Sequence, residues 1–166
     1  MHPRVHFNVI ETSHHWIEIA QNDSKERKAW RTNQALDFLF VMKKGLDLFP
    51  KTDWFVIVED DTECNKDPSF LSRLANFTSE VKRNPKIVFT RLNRIGTRAH
   101  LLHRIVVESF LGYALTRFDL VPIDWLFFLH LETMGTRIEK QPFLDLCRHI
   151  GGTSSLAENE ERSVEK

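Results

Sequence analysis

The chain has 166 residues, of which 42% are hydrophobic and 13 are Phe, so it has the material for a folded core. Its 23 basic and 23 acidic residues cancel, which excludes a net positive field that would attract nucleic acid or an anionic membrane. No apolar run approaches the roughly 18 residues that a membrane span needs, so this segment predicts no membrane contact.

The first half of the chain predicts a helix, a strand and a second helix. Apolar residues at spacings of three and four predict a helix over Lys25–Leu48. The run Phe55–Val58 has no polar gap, which is typical of a strand covered on both faces, as in a parallel sheet. A helix over Ser69–Val81 follows Pro68 and is closed by Pro85.

The second half continues the alternation. We expect a strand over Lys86–Leu92, a helix over Arg98–Phe110, a helix from Ile123 to about Glu132, and a strand over Phe143–Ile150. A further strand candidate, Val5–Glu11, lies near the start. The sum predicts an α/β fold with its polar chemistry at strand ends.

Domain limits and cysteine use follow from composition. Residues 1–156 predict one domain, and the highly charged Ala157–Lys166 predicts a flexible tail. Cys64 and Cys147 are too few for a disulfide framework or a structural zinc site, although one bond between them remains open.

Two glycosylation triplets occur in the sequence. Asn22 begins Asn-Asp-Ser and Asn76 begins Asn-Phe-Thr. Such triplets also arise by chance, so they are compatible with a secretory route without establishing one.

Three adjacent acids, Glu59, Asp60 and Asp61, directly follow the predicted apolar strand. One interpretation is a solvated turn, since charge runs usually face water. The other is a seat for Mg²⁺ or Mn²⁺, because ligands of open α/β sheets bind beyond the carboxyl ends of strands. Such a cation would offset the repulsion and hold the diphosphate of a nucleotide sugar, but phosphohydrolases use similar clusters.

Four segments in one order carry a resemblance to a known family: WRTNQALDFLFVM, WFVIVEDD, VPIDWLFF and RHIGGTSSLA. Together they resemble the N-acetylglucosaminyltransferase IV family, over about Trp30 to Ala157. The resemblance implies a GT-A-like nucleotide-sugar-binding sheet with flanking helices. It also implies an inverting, metal-dependent Golgi enzyme of the secretory pathway that moves GlcNAc from UDP-GlcNAc to a mannose of an N-glycan acceptor.

The resemblance implies a site for Mn²⁺ or Mg²⁺ and for the UDP-GlcNAc donor. The implied metal ligands are Glu59, Asp60, Asp61 and His149. The implied donor contacts are Asp60, Asp61, Arg31, His149, Ser154 and Ser155. From residue type alone, the histidine could equally end a strand, the arginine could lie at the surface, and the serines could form a plain turn.

Asp124, in the VPIDW segment, matches the position that the resemblance makes the general base. Inverting transfer needs a carboxylate that takes the proton from the attacking acceptor hydroxyl. The alternative is a helix residue without chemistry, because Asp is favoured in a first turn after Pro. Trp125 beside it could stack on a sugar or pack in the core.

Two of the departures from the family concern the donor site. The family's opening nucleotide-binding strand lies upstream of the first helix, so we expect this chain to be N-terminally incomplete. The loop HIGGTSSL has Gly152 and Thr153 where the family has a Thr-His pair. The alternatives are a GPI-anchor GalNAc transferase-like enzyme, which the PIDW segment disfavours, and a remnant of the fold that binds glycan or a partner without catalysis.

Overall fold

The fold follows from a computed structural model that describes residues 20, 22–65, 67–84, 86–93, 99–137 and 141–150, apart from the side chain of His149. Its elements, in order, are α1 (Lys25–Leu48), β1 (Trp54–Val58), β2 (Thr62–Cys64), α2 (Ser69–Val81), β3 (Phe89–Arg91), β4 (Ala99–His103), α3 (Arg104–Ala114), α4 (Ile123–Thr133) and β5 (Cys147–His149). Helices and strands are mixed along the chain, which confirms the predicted α/β class.

The chain divides into two compact units. The described residues of the helical unit are 20–53 and 103–137, and those of the sheet unit are 54–102 and 141–150, less the gaps given above. No helix within these ranges is long and apolar enough to cross a membrane.

The helical unit is formed by α1, α3 and α4, which contact one another. Ser24 begins α1, because its hydroxyl oxygen accepts the Arg27 N–H at 3.1 Å. Phe110 of α3 lies at the centre of the packing. Its ring meets Phe38 of α1 edge-on at 6.4 Å and Phe127 of α4 at 5.1 Å between centroids.

Arg104 fastens the start of α3 to the segment that follows α1. Its backbone N–H donates to the Asp53 carbonyl at 2.7 Å, and its guanidinium donates to the carbonyls of Thr52 at 3.0 Å and Phe49 at 2.9 Å. A cation at these carbonyls also complements the partial negative charge at the end of α1. One side chain therefore joins the start of α3 to two carbonyls of the segment just after α1.

The sheet unit contains a three-stranded sheet in the order β1-β4-β3 and a two-stranded ribbon of β2 and β5. β3 and β4 pair antiparallel, with Phe89 opposite Leu102 and Arg91 opposite His100. The predicted helix over Arg98–Phe110 is therefore wrong in its first half, which is strand β4. Both faces of this central strand are buried, so its short apolar run lacks the alternation that would have marked a strand.

β1 also differs from the prediction. Val56 and Val58 are each 40% exposed and the other three residues are only partly buried, so the strand is not covered on both faces. The pairings described for β2–β5 and β3–β4 are antiparallel rather than parallel. One isolated parallel bridge joins Arg91 to Phe143. The predicted strand over Phe143–Ile150 is confirmed only as this bridge and the shorter β5.

His130 is a buried titratable side chain of the helical unit, with 5% of its surface exposed. Its Nε2 lies 2.9 Å from the Ser109 hydroxyl, and its ring lies 5.6 Å from that of Phe110 and 4.9 Å from that of Tyr113. Burial lowers the pKa of His130, because the charged imidazolium loses its hydration.

We predict that the free energy of unfolding falls as the pH drops below about 6.5, the ordinary histidine value. The unfolded chain then binds a proton that the folded His130 resists. A single proton gives a slope of at most about 1.4 kcal/mol per pH unit. Urea unfolding between pH 8 and pH 5 measures it, and His130→Gln should be flatter than wild type over this range. Equal slopes would contradict the assignment to His130.

Candidate functional site

The three adjacent acids form a turn between β1 and β2, which we call the acidic turn (Glu59, Asp60 and Asp61). β1 ends at Val58, immediately before it, so the acids do follow the carboxyl end of a strand. The Thr62 N–H donates to the Glu59 carbonyl at 3.1 Å and closes the turn. Glu59 and Asp60 are exposed, whereas Asp61 is half-buried.

The ladder between β2 and β5 brings the far end of the chain to this turn. Thr62 lies opposite His149, and the Ile150 N–H donates to the Asp61 carbonyl at 2.9 Å. Two of the predicted ligands, Asp61 and His149, therefore lie on neighbouring backbone segments. The side chain of His149 lies outside the described set, so its role as a ligand stays a prediction.

Two cross-strand contacts hold this ladder together. Cys64 and Cys147 lie opposite each other and form a disulfide, with their Cα atoms 3.9 Å apart. Next to it, Arg148 donates to the Glu63 carboxylate at 2.8 Å and 3.2 Å. The cysteine bond that the sequence left open is thus present. The ion pair was not predicted, although an antiparallel ladder around that disulfide implies it, because the residue before one cysteine opposes the residue after the other.

The acidic turn offers the oxygen donors that Mg²⁺ and Mn²⁺ prefer, so its chemistry fits the predicted cation. Within the described part of the chain, no group of three His, Cys, Asp or Glu side chains is gathered closely enough to hold a metal ion. A groove of about 550 Å³ runs along the ribbon instead, and its lining does not include the acidic turn. The four-ligand site therefore remains a prediction.

Asp124 lies in the first turn of α4, directly after Pro122 and Ile123, as predicted. Its Oδ1 accepts the Trp125 N–H at 2.9 Å. Burial raises the pKa of Asp124, and hydrogen bonds from the backbone partly oppose that rise. A carboxylate with a raised pKa is a stronger base, which is the property that proton abstraction needs.

Arg31 is buried in the helical unit, with 3% of its surface exposed. Its Nη1 donates to the Asp23 carboxylate at 2.5 Å, and its Nη2 donates to the carbonyls of Asp119 at 3.1 Å and Leu120 at 3.4 Å. Both terminal nitrogens thus make contacts within the fold. A phosphate of the donor would have to displace these contacts. The resemblance did not indicate that Arg31 makes them.

The remaining predictions concern segments that the structure does not describe. Ser154 and Ser155, the strand candidate Val5–Glu11 and the charged tail over Ala157–Lys166 all lie outside the described residues. Each of them stays a prediction.

No family model matches the chain. Similarity to individual curated proteins covers most of it. The alpha-1,3-mannosyl-glycoprotein 4-beta-N-acetylglucosaminyltransferase B of Danio rerio is 28% identical over 173 aligned positions, which include 93% of this chain. The Homo sapiens protein of that name is 30% identical over 154 positions and 81% of this chain. The A form of Xenopus tropicalis is 26% identical over 166 positions and 87% of this chain.

The chain is similar to the 4-beta-N-acetylglucosaminyltransferases. This confirms the resemblance found in the sequence segments. The chain spans 29%, 26% and 28% of the length of these three relatives, which is less than a third of each. Among solved structures, a glycosyltransferase involved in the glycosylation of the major capsid of PBCV-1 has a TM-score of 0.48 and 16% identity, covering 84% of this chain and 79% of that one.

We predict that the double change Cys64→Ser with Cys147→Ser lowers the free energy of unfolding by about 2–5 kcal/mol. The disulfide joins residues 83 positions apart, so its loss frees a long loop in the unfolded chain. Urea unfolding gives the value, and reduced wild type should match the double variant.

Arg148→Ala is the matched control on the same ribbon. It removes only an exposed ion pair and should change stability by less than about 1 kcal/mol. An unchanged unfolding midpoint in the double variant would contradict the view that the disulfide closes the ribbon.

Proposed function

We propose that the chain is part of an inverting glycosyltransferase that moves GlcNAc from UDP-GlcNAc to a mannose of an N-glycan in the lumen of the Golgi. The 4-beta-N-acetylglucosaminyltransferases to which it is similar are named for transfer to a mannosyl glycoprotein. A GT-A-like arrangement, in which a sheet binds the nucleotide sugar, is part of this proposal. The Cys64–Cys147 disulfide supports an oxidising compartment, because such bonds persist in the secretory pathway.

One structural observation carries the donor side of the proposal. The β2–β5 ladder sets Thr62 opposite His149, so the acidic turn has a second potential ligand beside it from a distant part of the chain. Asp61 is half-buried, with the two exposed acids on one side of it in the chain and the ladder on the other. This position suits a strand-end site that holds a cation together with an anionic diphosphate. Glu59, Asp60, Asp61 and His149 would hold Mn²⁺ or Mg²⁺, whose charge stabilises the leaving nucleotide diphosphate when bound.

On the acceptor side, the proposal makes Asp124 the general base. The acceptor hydroxyl oxygen attacks the anomeric carbon of GlcNAc from the face opposite the nucleotide, and the carbon–oxygen bond to UDP breaks. The proton of that hydroxyl passes to the Asp124 carboxylate, whose raised pKa makes it a better acceptor for it. Arg31 has no role in this proposal, because both terminal nitrogens of its guanidinium already donate to Asp23 or to backbone carbonyls.

We predict that UDP with Mn²⁺ raises the melting temperature of the wild-type chain, and that Asp61→Asn abolishes this rise. A ligand that binds only the folded state stabilises it by about 2.7 kcal/mol at 100 times its dissociation constant. Differential scanning fluorimetry measures the shift, with and without chelator. Glu63→Gln is the matched control, an acid two residues away that pairs with Arg148, and it should keep the ligand response. A full response in Asp61→Asn would refute the donor site.

We predict that Asp124→Asn reduces the transfer rate by about 100-fold or more, the range for loss of a general base, while UDP binding stays unchanged. Wild-type kcat/KM should fall as the pH drops through the pKa of Asp124, which burial raises above 3.8, because the base must be ionised. The control Asp119→Asn changes an exposed acid just before the same helix. Transfer at the wild-type rate in Asp124→Asn would show that another group takes the proton.

A further inference from the structure

One motif remains outside the proposed transferase chemistry: the triplet Asn76-Phe77-Thr78. We infer that Asn76 is an N-glycosylation site, modified by an N-linked oligosaccharide as the chain enters the secretory pathway. This inference concerns the chain as an acceptor of a glycan, so it does not depend on whether the chain transfers one.

The position of Asn76 on α2 makes the folded protein tolerant of a bulky polar group there. Phe70, Leu74 and Phe77 of this helix pack against the core of the sheet unit. Asn76 is exposed and lies on another side of the helix, in line with Ser72 one turn before it, which is also exposed. A glycan on Asn76 would therefore project into water and displace no core packing.

The Asn76 amide makes no hydrogen bond to any residue in the described part of the chain. A substituted amide nitrogen therefore leaves no hydrogen-bond partner unsatisfied among these residues. Thr78 supplies the hydroxyl of the triplet. In the folded chain its Oγ1 donates to the Ala75 carbonyl at 2.8 Å, a bond that Ser can also make.

The disulfide between Cys64 and Cys147 supports a location in the compartment where N-glycosylation takes place. Structural disulfides persist where the surroundings are oxidising, and the lumen in which they form also contains oligosaccharyltransferase. There the donor is a lipid-linked oligosaccharide diphosphate. The Asn76 amide nitrogen bonds to the anomeric carbon of its first sugar, the bond from that carbon to the diphosphate breaks, and the lipid diphosphate leaves with the electron pair. The amide nitrogen loses one proton to a base of the transferase.

The second triplet, at Asn22, is a poorer acceptor. Its middle residue, Asp23, sets a carboxylate beside the amide that must react, and in the fold that carboxylate pairs with Arg31 and Arg27. Its third residue, Ser24, caps α1. Asn76-Phe77-Thr78 has no charged member. We therefore expect a single glycan, and we expect it on Asn76.

The test is expression of the full chain behind a cleavable secretory leader in animal cells. Electrophoretic mobility is compared before and after peptide N-glycosidase F, and the sugar-bearing asparagine is located by mass spectrometry as the Asp left by the enzyme. One glycan gives one step, which is a shift in mobility that the enzyme removes. Wild type and Thr78→Ser should show one such step, and Asn76→Gln and Thr78→Ala should show none. Glu161→Thr, which completes an Asn-X-Thr triplet at Asn159, should add a second step and reports entry into the lumen.

Two results would overturn the inference. In the first, Glu161→Thr gains a step while wild type has none, so the chain enters the lumen and Asn76 is passed over. In the second, the wild-type step survives Asn76→Gln and disappears in Asn22→Gln. A circular dichroism melt of the Asn76→Gln protein, expected to match enzyme-treated wild type, separates loss of the glycan from loss of the fold.

Discussion

The antiparallel pairing of β2 with β5 is the constraint on which the candidate site depends. These two short strands come from distant parts of the chain, and three residue pairs define their register. Each strand has only three residues, so the backbone hydrogen bonds of the ladder are few. The disulfide within the ladder fixes the register covalently, since a slip by one residue would part Cys64 from Cys147. The position of His149 beside the acidic turn is set by that covalent bond.

The segment that leads into β5 is hydrogen-bonded to the residue that follows β3 in the three-stranded sheet. The N–H groups of Leu146 and Cys147 donate to the Leu92 carbonyl at 3.0 Å and 2.7 Å, and the Asn65 N–H donates to the Leu146 carbonyl at 2.8 Å. The segment before β5 thus lies between the end of β3 and the end of β2 within one unit. Leu146 and Cys147 are buried there with Leu92 in the core cluster. A change in this packing would move the backbone on which one predicted ligand is carried.

The parts of the fold that could be predicted from the sequence are those with local signals. α1 and α2 have the predicted bounds, because the apolar spacing of α1 and the prolines that flank α2 are properties of adjacent positions. β2 was missed because Thr62–Cys64 is three residues long and is held by a partner far along the chain. β4 was read as helix because Leu101 and Leu102 suit either structure, and only its place in the middle of a sheet decides. For the site, the strand-end position of the acids was predictable, whereas the burial of Arg31 depends on tertiary contacts that no spacing reveals.

Arg31 and Asp124 are two charged side chains of the helical unit whose surroundings differ. Arg31 is buried, and its contacts with Asp23 and two backbone carbonyls offset part of the cost of its desolvation, while its buried Nε has no partner among the described residues. Asp124 has backbone hydrogen bonds but no ion pair of this kind within the described ranges. Among the described residues no cation pairs with it, one neighbouring N–H is the partner of its Oδ1, and burial raises its pKa. A carboxylate held in its less favoured environment costs stability, and such costs are typical of groups kept for chemistry. The raised pKa and the lack of a pairing cation among the described residues support the proposal that Asp124 is the general base.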